Sequence, residues 1–177
     1  MAKLEAASTA YLAQTMRVLS NWGCLLVSGD LGKANVMTIG WGLAGPLWGR
    51  TFFIVAVRPS RYTYMFIEKN GDFTVNVPSR DMEKIVDYCG SVSGRDHDKF
   101  KESGLTIVSS KKVTSPIIYE CVVHFECKVE YATDVEPRGL PTDVITECYP
   151  HGDYHRLYFG EVLATYADED AAEHLPT

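Results

Sequence analysis

Apolar and polar residues alternate along most of this chain with the two-residue period of β-strands. Residues 24–28 form a short apolar run that stops at Gly29-Asp30. Leu31, Gly32 and Lys33 continue the turn and residues 35–39 open a second run, so the pair reads as a hairpin. Residues 51–57 are apolar on both sides, which predicts a buried central strand rather than an edge. Phe73, Val75 and Val77 alternate with Thr74 and Asn76 in a half-buried strand closed by Pro78. Longer alternations cover residues 121–131, with Glu126, Lys128 and Glu130 as the polar side, and residues 158–166.

The helical signals are short. Ser60 reads as the N-cap, and Gly71 as the stop, of a helix over residues 61–69. Ser79 caps a second helix that runs through Tyr88 with acids in its first turn. Residues 98–103 give a further turn or two, closed by Gly104, and residues 12–19 form another helix. Many short strands with few interposed helices predict a mainly β fold, a β-barrel with short helices, in one domain over residues 1–177.

Composition narrows the function classes. With 46% apolar and 23% charged residues, the 177-residue chain is neither disordered, collagenous nor a coiled coil. A net charge of -6 argues against a general nucleic-acid binder. No apolar run approaches the roughly 20 residues of a membrane span. Glu5 comes early and no apolar h-region follows, so a cytoplasmic location is expected. The five cysteines are odd in number and lack a CxxC pair, which argues against a disulfide framework. Cys121 and Cys127 fall on one face of an alternating strand with His124 on the other, and His151 and His155 flank Gly152 in a turn. Neither group converges as metal ligands should, and no metal is assigned.

Candidate chemistry is sparse. Residues 40–45 match GxGxxG, but Pro46, Trp48 and Gly49 and then an apolar strand follow where a dinucleotide site needs a helix. The segment is read as a glycine-rich loop. Arg58-Pro59-Ser60-Arg61-Tyr62-Thr63 joins a buried strand to a helix start, where free N–H groups, two hydroxyls and two guanidiniums favour an anion such as phosphate; a capped helix with surface arginines is the competing reading. Lys99, in a polar loop, either reaches a phosphate or is solvated. No nucleophile, triad or carboxylate pair stands out, so no side chain is assigned a catalytic role. A cofactor with its own reactivity would explain the shortage.

Three segments, residues 35–41, 57–63 and 71–78, together with Ser93-Gly94-Arg95-Asp96-His97-Asp98-Lys99-Phe100 and Tyr158-Phe159-Gly160-Glu161-Val162, resemble in order the flavin-reductase-like, FMN-binding split-barrel family, and within it the flavoredoxin group most. The resemblance implies a split barrel that pairs as a homodimer and holds FMN near the interface. It places Asn35, Met37 and Thr38 along the isoalloxazine with Trp41 closing that side. Ser60, Arg61 and Thr63 would hold ribityl and phosphate. Asn76 would face the flavin, Lys99 would give a charge to the phosphate or ring, and His155 would approach from the C-terminal side. The implied activity is an oxidoreductase taking electrons from NADH or NADPH and passing them to a redox partner protein or small-molecule acceptor. An FMN electron carrier without nicotinamide turnover and a non-catalytic flavin- or ligand-binding barrel remain alternatives. Residues 42–49 and 135–153 match no pattern of the family.

Overall fold

The computed structural model describes residues 3–176. Met1, Ala2 and Thr177, the ends of the expected single domain, lie outside the described residues. The chain runs β1 (Leu4–Ala6), α1 (Leu12–Asn21), β2 (Cys24–Asp30), β3 (Lys33–Ile39), β4 (Gly42–Leu47), β5 (Arg50–Val57), α2 (Tyr62–Asn70) and β6 (Asp72–Val77). It continues with α3 (Glu83–Ser91), α4 (Lys99–Ser103), β7 (Ile107–Val108), β8 (Ile117–Ile118), β9 (Val123–Asp134), α5 (Thr142–Cys148), β10 (Arg156–Ala167) and α6 (Ala171–His174). Among the described residues, no helix is long and apolar enough to cross a membrane.

The fold is mainly β. The main sheet is antiparallel, in the order β3-β2-β6-β9-β10-β5-β4. One edge of β10 serves two partners: Arg156–Glu161 pairs with β5, and Thr165, Tyr166 and Ala167 pair with β1. The sheet curls around one core, to which Leu26, Phe53, Val55, Phe73, Val75, Phe125 and Tyr158 contribute, with Val18 of α1 and Ile67 of α2 closing it. A second cluster (Leu25, Val27, Val36, Val86, Cys89) glues α3 to the outer face of β2 and β3. Alternate residues of β2 therefore feed different cores, as the strand period requires.

The first hairpin forms as its sequence dictates. Asp30 Oδ1 accepts from the N–H groups of Gly32 (2.9 Å) and Lys33 (2.8 Å), closing the turn between β2 and β3. The presumed glycine-rich loop is different: residues 42–47 are strand β4, joined to β5 by a two-residue turn. That turn needs positive φ at Trp48 (51°) and Gly49 (74°), as a twisted hairpin demands. Residues 50–57 are paired on both sides, but by β10 and the edge strand β4, so β5 lies beside the edge rather than at the centre.

Three further expectations are corrected. Strand β6 is buried on both faces, because its polar side chains are covered and satisfied by the segment leading into β8. Asp72 accepts from Thr114 N (2.8 Å) and Ser115 N (3.1 Å), and Thr74 Oγ1 donates to the Pro116 carbonyl (2.7 Å). Ser60 is not the N-cap of α2; Arg61 is, through its extended backbone, with no side-chain bond. Cys121 lies before β9 in the outer cluster while Cys127 faces the main core, so the two do not share a face.

Candidate functional site

A cleft of about 410 Å³ opens where β3, the start of α2, the loop after α3 and the start of β10 meet. That volume suits a small molecule, for which sites run about 300–1,000 Å³. Asn35 and Met37, two apart on β3, share the face that lines it, while Val36 between them packs into the outer cluster. The cleft is lined by Arg58, Arg61, Arg95 and Lys99 and by no aspartate or glutamate, in a chain of net charge -6. Such a concentration of donors favours an anion.

Each cation is held differently. The Arg61 side chain has no hydrogen bond among the described residues and stands at the N-terminus of α2, where the first N–H groups lack intrahelical acceptors. Lys99 is buried, and its Nζ donates to the carbonyls of Val36 (3.0 Å) and Cys89 (2.6 Å). Burial pulls its pKa below the ordinary ammonium value, with Arg61 acting in the same direction. Arg58 donates to the Cys148 carbonyl (2.7 Å) and stacks over Tyr149, and Arg95 donates to the Ser60 carbonyl (3.0 Å) and stacks over Tyr62.

An aromatic group forms one rim. The Trp41 ring lies 4.9 Å from that of His155, and Tyr149 Oη is 2.8 Å from His155 Nδ1. Tyr154 stacks on Tyr149 at 4.6 Å. Burial, then the charge of Arg58, lowers the His155 pKa to about 4, so the ring is neutral near pH 7.

The structure brings nine of the ten sequence-assigned residues to this cleft: Asn35, Met37, Thr38, Trp41, Ser60, Arg61, Thr63, Lys99 and His155. Asn76 does not line it. Its amide is consumed inside the fold, donating to Leu25 O (3.2 Å) and Thr74 Oγ1 (3.0 Å) and accepting from Ile118 N (2.9 Å), with His124 Nδ1 at 2.9 Å. Some assigned groups are already engaged. Asn35 Nδ2 donates to Thr63 Oγ1 (2.7 Å), Thr38 Oγ1 donates to the Val86 carbonyl, and Ser60 Oγ donates to Asp153 Oδ2 (2.5 Å).

Arg95 and residues 90–94, the end of α3 and the loop after it, also line the cleft and had no assigned role. A signal was present: Ser93-Gly94-Arg95 lies within one of the family-like segments, and Gly94 sits where Asn35 leaves no room for a side chain. Tyr149 belongs to residues 135–153, which offered no motif.

Comparison with known proteins gives a consistent picture. Residues 19–176 match the family model described as a flavin reductase like domain. An uncharacterized protein of Archaeoglobus fulgidus is 38% identical over 140 residues, which is 78% of this chain and 68% of that protein. The crystal structure of flavoredoxin from Methanosarcina acetivorans superposes with a TM-score of 0.66 at 32% identity, covering 84% of this chain and 69% of that one. Flavoredoxin of Desulfovibrio vulgaris gives a TM-score of 0.67 at 26% identity, covering 88% and 75%.

Proposed function

The chain belongs to the flavin reductase-like family, and on that premise we propose that it is an FMN-binding oxidoreductase. In this reading it draws electrons from NADH or NADPH and passes them to a protein or small-molecule acceptor. The observation that carries the reading is the cleft lined by four cations and no carboxylate in an acidic chain. The likeness to two flavoredoxins supports the flavin as the ligand.

The residues present fit FMN. Arg61, with its free guanidinium at the start of α2, would take the phosphate, and Lys99 adds a buried positive charge. Met37, Ala56 and the Trp41 ring offer apolar surface to a planar ring system, and Asn35 and Thr63 hold each other in place beside it. Bound there, FMN would supply the redox chemistry that no side chain of the cleft offers. The chain's share is to bind, to orient and to keep one ring face open to the donor.

The test is spectroscopic. Purified protein supplied with FMN should retain it and show a flavin band, and anaerobic stopped-flow mixing with NADH or NADPH should bleach that band. Protein that takes up no FMN overturns the reading. Bleaching by a reduced iron–sulfur protein but by neither nicotinamide makes the chain an electron carrier instead.

A further inference from the structure

Tyr149 closes the C-terminal end of α5, outside every segment that carries the family resemblance. It is almost fully buried, clamped between the Tyr154 ring at 4.6 Å and the Arg58 guanidinium at 5.1 Å. Its hydroxyl meets His155 Nδ1 at 2.8 Å. His155 is itself more than nine-tenths buried, lines the cleft, and has no partner for Nε2 among the described residues.

The direction of this bond follows from satisfaction. A neutral imidazole carries one N–H, and the phenol carries one O–H. If Nδ1 held the ring proton and donated to the phenol, the phenol proton would be left without an acceptor in a buried place, which is unfavourable. If the phenol donates, its proton is satisfied and the ring proton must sit on Nε2, which is not among the buried unpaired atoms and opens on the cleft. We infer that Tyr149 is a positioning residue for the cleft: its hydroxyl donates to His155 Nδ1 and fixes the imidazole as the Nε2–H tautomer, which presents a hydrogen-bond donor to an acceptor atom of the bound ligand. The tautomer of a histidine is set by the bond its other nitrogen makes. Trp41, 4.9 Å from the ring, holds it against rotation.

Where the ligand is FMN, which rests on the function proposed above, the donor would serve a carbonyl or ring nitrogen. A donor there would bind more strongly once that edge became electron-rich, and so would raise the reduction potential. Tyr149→Phe keeps the ring stacking and removes only the hydroxyl.

Two measurements separate this inference from the FMN assignment. Nitrogen-15 NMR of the FMN-free protein, with the His155 signal identified by its loss in His155→Asn, should show the Nε2–H tautomer, and Tyr149→Phe should give a mixture. FMN titration and redox potentiometry should then show Tyr149→Phe binding FMN several-fold more weakly, with a more negative midpoint. A parent protein in the Nδ1–H form overturns the inference. So does a Tyr149→Phe variant with unchanged tautomer, affinity and midpoint. Failure of the parent to bind FMN, with the tautomer as stated and scrambled in the variant, overturns the FMN assignment and upholds the role of Tyr149 toward His155.

Discussion

Gly94 lies against the Asn35 amide so closely that a Cβ on Gly94 would stand 1.8 Å from Asn35 Oδ1. No rotamer of a larger residue relieves that contact, so Gly94→Ala must displace the amide and break its 2.7 Å bond to Thr63. FMN affinity is expected to fall about tenfold, the equivalent of one hydrogen bond of the stronger kind. Titration of flavin fluorescence measures it. Gly139→Ala, with nothing within 4 Å of its Cβ, is the control and should bind normally.

Arg61 and Lys99 are both cations of the cleft, yet their removal should differ. Arg61→Ala deletes a side chain without hydrogen bonds in the fold, so FMN binding should drop by one to two decades, or about 1.5–3 kcal/mol, at unchanged melting temperature. Lys99→Met also strands the buried carbonyls of Val36 and Cys89. It should lower both affinity and stability, the latter read from a shifted denaturant midpoint.

Acid should weaken the fold through His124. Burial, and secondarily the charge of Lys3, lowers its pKa from 6.5 to about 3. Below pH 6.5 the unfolded chain takes up a proton that the folded chain refuses. Stability should therefore fall as pH drops from about 6.5 towards 3, by at most about 1.4 kcal/mol per pH unit for one proton. His155, lowered to about 4, adds a second such proton over a narrower window. Urea unfolding between pH 7 and 5 gives the slope, and His124→Gln should reduce it. An unchanged slope in that variant rules the assignment out.

Gly160 occupies a register shift between β9 and β10, where an added Cβ would come 2.5 Å from Phe73 Cζ and 2.8 Å from Cys127 Cβ. Gly160→Ala overpacks the core at a cost of about 1–3 kcal/mol. Chemical denaturation should show the loss, while any FMN binding at low temperature persists.

A homodimer is expected, although the apolar strand β5 is not the surface that forms it. The apolar run of β5 is covered within the subunit, with Phe52, Phe53, Val55 and Val57 buried. Large apolar side chains stand uncovered on the neighbouring edge, where Leu43 is 68% and Trp48 60% exposed. Sedimentation at micromolar concentration should give twice the 19.7 kDa chain mass, and Leu43→Lys with Trp48→Glu should give the monomer.

The strand pattern made most of this fold legible, because period two survives wherever one face is apolar. It misled at β6 for a physical reason: Thr74 and Asn76 read as the polar side of a half-buried strand, but residues 114–118 bury and satisfy them together with Asp72. Alternation reports polarity, and burial depends on what a distant segment brings. The cleft position of Arg61 was legible because a helix start advertises its own donors. The cap role of Ser60 and the cleft role of Asn76 were misjudged because decisive partners lie far along the chain, Asp153 at 93 residues from Ser60 and Ile118 and His124 at 42 and 48 from Asn76. Tyr149 was invisible because its role comes from a single contact to a side chain six positions on, in a segment without periodicity.

The Ser60 contact bears on ligand capture. Asp153 stands in a positive-φ conformation and receives both the hydroxyl and, at 3.3 Å, the backbone N–H of Ser60. A carboxylate thus already occupies two donors on the wall of the cleft. An arriving phosphate that takes them has to evict a tethered rival, whose effective concentration does not fall on dilution. A phosphate using Ser60 would therefore compete with Asp153 for the same two donors in every binding event, at any concentration of protein.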